Sequence, residues 1–342
     1  MPNLIATKDF IDGLFVEYDK NNNTIDLSTF IKEDFFGYDL ICDFKTIEDY
    51  KLAAKENPIW ESMMDKYDGI SLNQNLKKDI YEGRFYQNLD EHNIFLVDLP
   101  EEQCDKLISE KGYLYIPLSN ISKNWDSIRR IRNQLKLKVT LDNKIPQQMR
   151  FDCWSKITSL KIPLTSIVIF DRYILGDESN QKLNDNLYKL LSGLCNLPEL
   201  TKKVNLTIIS EFKSDKDILN AYDKLSKYLV SIGISNIKLN IIKHHKRNYP
   251  EDFEGLHYRL IITNYFKVKC DDSFNFFKQN GKINNDADLY VTFNLDSSNK
   301  PFFEKELNDI KRYLGKLKNL SPDNLLAEKI YFLHDKDNYL FN

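Results

Sequence analysis

The second half of the chain alternates between short apolar runs and amphipathic segments. The first run is nearly all apolar before Asp171, as expected of a strand that is buried on both faces. Apolar side chains recur at helical spacing over residues 180–197, 215–233 and 302–320. The predicted strands are SIVIFDRYIL (166–175), VNLTIISEF (204–212), NIKLNIIKH (236–244), HYRLIITNYFKVK (257–269) and ADLYVTFNL (287–295). This order predicts an α/β fold with helices packed on the faces of a sheet.

The first half carries a similar but less regular pattern. Strand-like runs occupy residues 14–19, 38–44, 93–100 and 113–119, and helical patterns cover residues 46–67, 101–112 and 122–139. Pro146 and Pro163 bracket a break in the pattern, after which regular alternation resumes. We therefore predict two α/β domains, residues 1–150 and residues 151–342, with the helix at 122–139 joining them.

Composition narrows the class of protein. The 342 residues are 42% hydrophobic, which argues against intrinsic disorder, and 48 basic against 51 acidic residues leave a net charge of -3. No apolar run approaches the roughly 20 residues that span a bilayer. The five cysteines form no CxxC pair, and no glycine-rich cofactor motif is present. These features predict a cytoplasmic protein with no membrane contact, cofactor or metal site; abundant Lys, Asn and Ile favour a bacterial source.

One strand carries a pattern that resembles a catalytic motif. Phospholipase D-type enzymes use H-x-K-x4-D, in which the histidine attacks phosphorus, the lysine holds a phosphate oxygen and the carboxylate orients the histidine. Here His257, Arg259 and Asn264 stand at that spacing. Side chains repeat every two residues on a strand, so His257 and Arg259 share a face, and arginine can replace lysine as a phosphate clamp. Asn264 cannot supply the negative charge that stabilises an imidazolium, which weakens the case for catalysis.

The element order over residues 160–320 resembles the phospholipase D-like fold, a mixed sheet with helices on its faces. It is similar above all to the non-catalytic branch, such as the MIT C-terminal domains. There the first strand ends in Asp-x-Tyr, matched here by Asp171, Arg172 and Tyr173. A later strand carries His-x-Arg, matched by His257 and Arg259. The resemblance implies a binding module in which these residues hold a ligand, rather than a hydrolase.

A basic segment follows the first domain's last predicted strand. Arg129, Arg130 and Arg132 lie within residues 123–144, close to Trp125, and could bind nucleic acid through phosphate contacts and stacking. The alternative, which we prefer, is a solvated helix face whose charges pair within the chain.

Two acidic residues follow predicted strands of the first domain. Asp43 and Asp98 stand at strand C-terminal ends, where α/β sheets place functional groups, and two carboxylates could hold Mg²⁺ as in a PIN-like nuclease. Acidic residues are also common there simply because turns begin at strand ends, and we prefer that interpretation.

Together these patterns predict a bacterial cytoplasmic binding or regulatory protein. Its degenerate phospholipase D-like domain would hold a protein partner or an anionic ligand, either a phosphate group or nucleic acid, in a defence-type system. The first alternative is a phosphodiesterase or nuclease acting through His257. One motif per chain would then require a homodimer, so that two histidines face one phosphorus. The second alternative is a metal-dependent nuclease seated on Asp43 and Asp98.

Overall fold

The fold is α/β, as the sequence predicts. The computed structural model describes residues 3–18, 22–34, 38–85, 92–160, 162–175, 183–195, 203–212, 215–234, 236–244, 259–278, 282–318 and 340. Within these residues the chain forms two β-sheets and eleven α-helices.

The first sheet has five parallel strands in the order β3-β2-β1-β4-β5. They are β1 (Asn3–Ala6), β2 (Asp39–Cys42), β3 (Gly69–Leu72), β4 (Ile94–Val97) and β5 (Leu114–Pro117). Every residue of β4 and β5 is buried, which explains their unbroken apolar sequences. Strand order reverses between β1 and β4, so the C-terminal edge beside these strands is where open α/β sheets usually place a ligand.

The second sheet has eight strands in the order β10-β9-β8-β11-β12-β13-β6-β7. They are β6 (Leu135–Val139), β7 (Arg150–Phe151), β8 (Ser166–Phe170), β9 (Val204–Glu211), β10 (Ile237–His244), β11 (Arg259–Thr263), β12 (Phe266–Cys270) and β13 (Ala287–Phe293). Strands β8, β9 and β10 are parallel, whereas β11, β12, β13 and β6 pair antiparallel. This sheet thus includes β6, which precedes the predicted boundary after residue 150, and β7, which crosses it.

The helices are α1 (Lys8–Val16), α2 (Asn22–Thr29), α3 (Ile47–Glu56), α4 (Pro58–Lys66), α5 (Leu76–Tyr81), α6 (Glu101–Lys111), α7 (Ile121–Arg132), α8 (Ser155–Thr158), α9 (Lys189–Cys195), α10 (Asp215–Ser231) and α11 (Lys300–Lys318). Local sequence sets several ends. Thr46 and Asp49 form a reciprocal capping box at the start of α3, and α4 begins with Pro58 behind the Asn57 cap. Gly112, at a φ of 72°, ends α6 in the left-handed region.

One hydrophobic core runs through both sheets, from Leu4 on β1 to Phe293 on β13. A buried tyrosine adds a polar link between them. The Tyr265 hydroxyl, in the turn after β11, donates to the Asn93 carbonyl at 2.7 Å and accepts from the Leu114 amide at 2.9 Å. The edge of the first sheet is therefore tied to the β11–β12 turn of the second.

Several predicted elements of the first half are wrong. The strand predicted over residues 14–19 is wrong, because residues 14–16 belong to α1, whose buried face is formed by Phe10, Ile11 and Leu14 at helical spacing. Strands β1 and β3 were not predicted: the apolar residues of β1 are followed almost directly by α1, and β3, with the sequence GISL, has only two apolar residues and is not fully buried. The helix predicted over residues 122–139 ends at Arg132, and Gln134 has a φ of 57°. Alternating Leu and Lys then form β6.

From Arg259 onwards, where the structure describes it, the strand predicted over residues 257–269 is a hairpin. Thr263 ends β11, and its hydroxyl both donates to the Phe266 carbonyl and accepts from the Phe266 amide, which closes a tight turn at Asn264 and Tyr265. Strand β12 then returns antiparallel to β11. The continuous apolar pattern hid this turn because Tyr265 and Phe266 are buried like the strand residues on either side.

Candidate functional site

The strongest candidate site lies where β8 and β12 end and β11 begins. Leu260 pairs with Phe170 in the antiparallel β8–β11 register, so the next step of the register places Arg259 beside Asp171. Ser273 follows β12, whose C-terminal end lies at the same edge. The fold therefore brings together Asp171, Arg259 and Ser273, which lie far apart in sequence.

Asp171 is the structural centre of this edge. Its carboxylate is fully buried and accepts hydrogen bonds from three donors. The donors are the Tyr173 amide at 2.9 Å, the Ser273 hydroxyl at 3.1 and 2.9 Å, and the Phe274 amide at 2.7 Å. Burial raises the pKa of Asp171, while these bonds and the Arg259 charge oppose the rise. The carboxylate thus fixes the segments after β8 and β12 against each other.

Two guanidinium groups converge on Tyr173. The Cζ atom of Arg172 lies 5.2 Å from the centroid of the tyrosine ring, and the Cζ atom of Arg259 lies 5.5 Å from it. Both distances fit cation–π attraction. Arg172 also forms an ion pair with Glu211 at the end of β9. The Tyr173 ring itself is 45% exposed, so this cluster opens to solvent.

A small cavity of about 170 Å³ adjoins Tyr173 and is rich in amide side chains. Asn275 donates from Nδ2 to the Tyr173 carbonyl at 2.9 Å, and Asn285 donates to Asp272 at 3.0 Å. The lining comprises Tyr173, Asp272, Ser273, Asn275, Phe276, Asn284 and Asn285. Sequence reasoning missed the asparagines, although two polar runs beside strands, DDSFN and NND, were a usable signal.

The third position of the predicted motif does not belong to this site. Asn264 follows the opposite end of β11 from Arg259, roughly 16 Å away at the usual strand rise. It is fully buried, where its Oδ1 accepts from the Thr165 amide at 3.2 Å and its Nδ2 donates to the Pro163 carbonyl at 3.5 Å. Its role is to hold the segment before β8. His257 lies outside the described residues.

The basic segment of α7 pairs largely within the chain. Arg132 binds Asp26 at 3.0 Å, and Arg129 binds Asp126 at 3.1 Å. Trp125 is fully buried and donates from its indole nitrogen to Asp26, so its ring cannot stack on nucleic acid bases. Arg130 remains on the exposed side of the helix. This geometry favours the solvated, internally paired face over a nucleic acid surface.

Asp43 and Asp98 both lie at the C-terminal edge of the first sheet, but a lysine enters the space beside them. The Nζ atom of Lys77 lies 2.9 Å from Asp9 Oδ2 and 3.4 Å from Asp98 Oδ2. Asp43 accepts from the Lys8 amide, and burial raises its pKa. Among the residues that the structure describes, no group of three or more His, Cys, Asp or Glu side chains is arranged to hold a metal ion.

These observations define the class only as an α/β protein with a candidate binding site. No protein-family model matches the chain, and no curated protein matches it significantly. In the described part of the chain, no helix combines the length and the apolar character that crossing a membrane requires.

Proposed function

We propose that this is a binding protein whose second sheet belongs to a phospholipase D-like domain without hydrolytic activity. Its ligand is a small phosphate-bearing anion, held at the edge formed by Arg172, Tyr173 and Arg259. The observation that carries this proposal is the convergence of two guanidinium groups on one half-exposed aromatic ring. Beside them, the buried Asp171 carboxylate holds the surrounding segments in place by accepting from the Tyr173 and Phe274 amides and the Ser273 hydroxyl.

The chemistry of the edge suits an oxyanion. Guanidinium groups are planar, remain charged at any physiological pH and bind phosphate through paired N–H donors. The adjoining cavity of about 170 Å³ has room for one small group; its lining offers the amide side chains of three asparagines as neutral hydrogen-bonding partners and also includes the Asp272 carboxylate. A fixed site of this kind loses little conformational entropy when a ligand binds, which favours affinity.

The surrounding charge favours a small anion over a nucleic acid. Four acidic residues lie at or next to the strand ends of the same edge: Asp271, Asp272, Asp286 and Asp288. An extended polyanion would pass close to these carboxylates and be repelled. A single phosphate group beside Tyr173 need not come so close to them. We therefore favour a free phosphate ester over nucleic acid as the ligand.

The positions of the carboxylates support the proposal of binding without hydrolysis. The motif's acid position, Asn264, is buried away from Arg259 and occupied with Thr165 and Pro163. Asp171 lies beside Arg259, but both its oxygens already accept hydrogen bonds, so it is poorly placed to act as a base. A protein partner, a homodimer and a defence-type role in a bacterial cytoplasm stay predictions from the sequence.

Calorimetric titration tests this proposal with three probes: inorganic phosphate, a nucleoside monophosphate and the uncharged nucleoside. We expect phosphate-dependent binding that Arg259→Gln weakens at least about tenfold, since a charge-assisted hydrogen bond contributes roughly 1.5–3 kcal/mol. The matched control is Arg130→Gln, an exposed arginine on α7 that should leave binding unchanged. Melting curves establish that each variant is folded.

Two outcomes would reject the proposal. Equal binding of the nucleoside and its monophosphate would remove the anion from the recognition step. Turnover of a chromogenic phosphodiester that disappears in a His257→Ala variant would instead support the hydrolase, and sedimentation would then show whether the active species is a dimer.

A further inference from the structure

Helix α1 exposes a second stripe of residues opposite the one that it buries. Phe10, Ile11 and Leu14 face the core, whereas the outer stripe includes Phe15 and Val16. These two side chains are 39% and 66% exposed. Two adjacent large apolar side chains on the outer face of a short helix are not needed for packing inside the chain.

Helix α3 presents a matching stripe. Tyr50 and Ala54 are buried, while Asp49, Leu52, Ala53 and Glu56 recur at helical spacing on another face. Leu52 is 59% exposed. Leu52 therefore faces solvent, as Phe15 and Val16 do on α1, whereas Ala53 is partly buried against the core.

The two stripes line one groove of about 570 Å³ at the C-terminal edge of the first sheet. Its floor is Phe44, which is buried and makes edge-on ring contacts with Tyr50 and Trp60 at 5.1 and 5.0 Å between centroids. The floor is thus rigid, while the walls are partly exposed apolar side chains on two helices. Such an open groove accommodates a helix better than it encloses a small molecule.

The charged residues around this groove are mainly acidic. The lining includes two basic residues, Lys8 and Lys45, and four acidic residues, Asp12, Asp43, Asp49 and Glu56. Their formal charges sum to -2. Lys8 is already paired with Asp12. A second copy of this chain would bring two acidic rims together and be repelled, whereas a basic segment would be attracted.

We propose that the groove between α1 and α3 binds a basic amphipathic helix of a partner protein. The partner's apolar side chains pack against Phe15, Val16 and Leu52, and its Lys or Arg side chains lie along the acidic rim. The interaction uses the first sheet only, so it does not depend on phosphate binding at the second sheet.

The test uses the full chain and a labelled peptide of about 14 residues with Leu and Lys at helical spacing, alongside a version with Glu in place of Lys. Fluorescence anisotropy should show that only the Lys peptide binds and that Leu52→Asp weakens its binding at least about tenfold. The matched control is Leu219→Asp on α10, where the leucine is 50% exposed but far from the groove residues in sequence.

Charge reversal supplies a second readout. Glu56→Lys should lower the affinity for the Lys peptide by about threefold or more. Added salt should lower the affinity of the unaltered protein for the same peptide. Equal loss in the Leu52 and Leu219 variants, no loss in either, or binding of both peptides would overturn the proposal. So would dimerisation of the chain that Leu52→Asp abolishes, because the groove would then be an interface between copies.

Discussion

Replacing Asn264 by aspartate would restore the acid of the H-x-R-x4-D pattern. A catalytic role and a structural role of this residue predict opposite results for the substitution. A catalytic motif would gain an orienting carboxylate. In the structure, however, the side chain is fully buried, with Oδ1 accepting from Thr165 and Nδ2 donating to the Pro163 carbonyl. In Asn264→Asp, the first bond survives, whereas a carboxylate oxygen now faces the carbonyl oxygen of Pro163.

The structure sets the scale of the penalty. An uncompensated buried charge typically costs about 3–5 kcal/mol of the free energy of unfolding. Asn264→Ala is the matched control, because it removes both hydrogen bonds without adding charge and should cost about 1–3 kcal/mol. The exposed Asn284→Asp should change stability by no more than about 0.5 kcal/mol.

Urea unfolding followed by circular dichroism gives these free energies, and its pH dependence separates charge from lost hydrogen bonds. Burial should raise the pKa of the introduced carboxyl above its unfolded value. Its penalty is therefore largest above the folded pKa and shrinks as the pH falls towards the unfolded pKa, while the alanine penalty stays constant. A stable Asn264→Asp variant that hydrolyses a phosphodiester would refute the structural role given to Asn264.

Three further predictions concern the contacts that build the two sheets and the candidate surfaces. Tyr265→Phe, which deletes the hydroxyl joining the sheets, should cost about 2–4 kcal/mol in urea unfolding, against almost nothing for the exposed Tyr81→Phe; equal costs would contradict the link. The raised pKa of Asp171 means that the native state holds its proton more tightly. The stability of the unaltered protein relative to Asp171→Asn should thus fall as the pH rises through the window above about 3.8, and a rise would contradict the direction of the shift. Arg132→Ala should lower stability by about 1 kcal/mol or more through loss of its partly buried ion pair, whereas Arg130→Ala should not; a shared loss of single-stranded DNA binding would instead favour a nucleic acid face.

The amino-acid pattern alone determined the α/β class and most strands of the second sheet. Runs such as SIVIF are apolar throughout because both faces of a central strand are covered, and this signal is strong and local. The apolar pattern predicted this strand as far as residue 175, whereas β8 ends at Phe170; the strand-end position of Asp171, Arg172 and Tyr173 came from the resemblance to the phospholipase D-like fold. The pattern failed for β1, which is followed almost directly by α1, for β3, whose GISL sequence is only partly apolar and partly buried, and for α1, whose helical face was mistaken for a strand.

Only the tertiary structure decided which polar residues meet. Strand register places Arg259 beside Asp171. Asn264 lies at the other end of β11, because five residues of extended strand span roughly 16 Å. The same three-dimensional packing pairs Arg132 of α7 with Asp26 of α2 and places Lys77 between Asp9 and Asp98. Spacing along the chain identifies residue types that could act together, but long-range pairing of strands and helices determines which of them do.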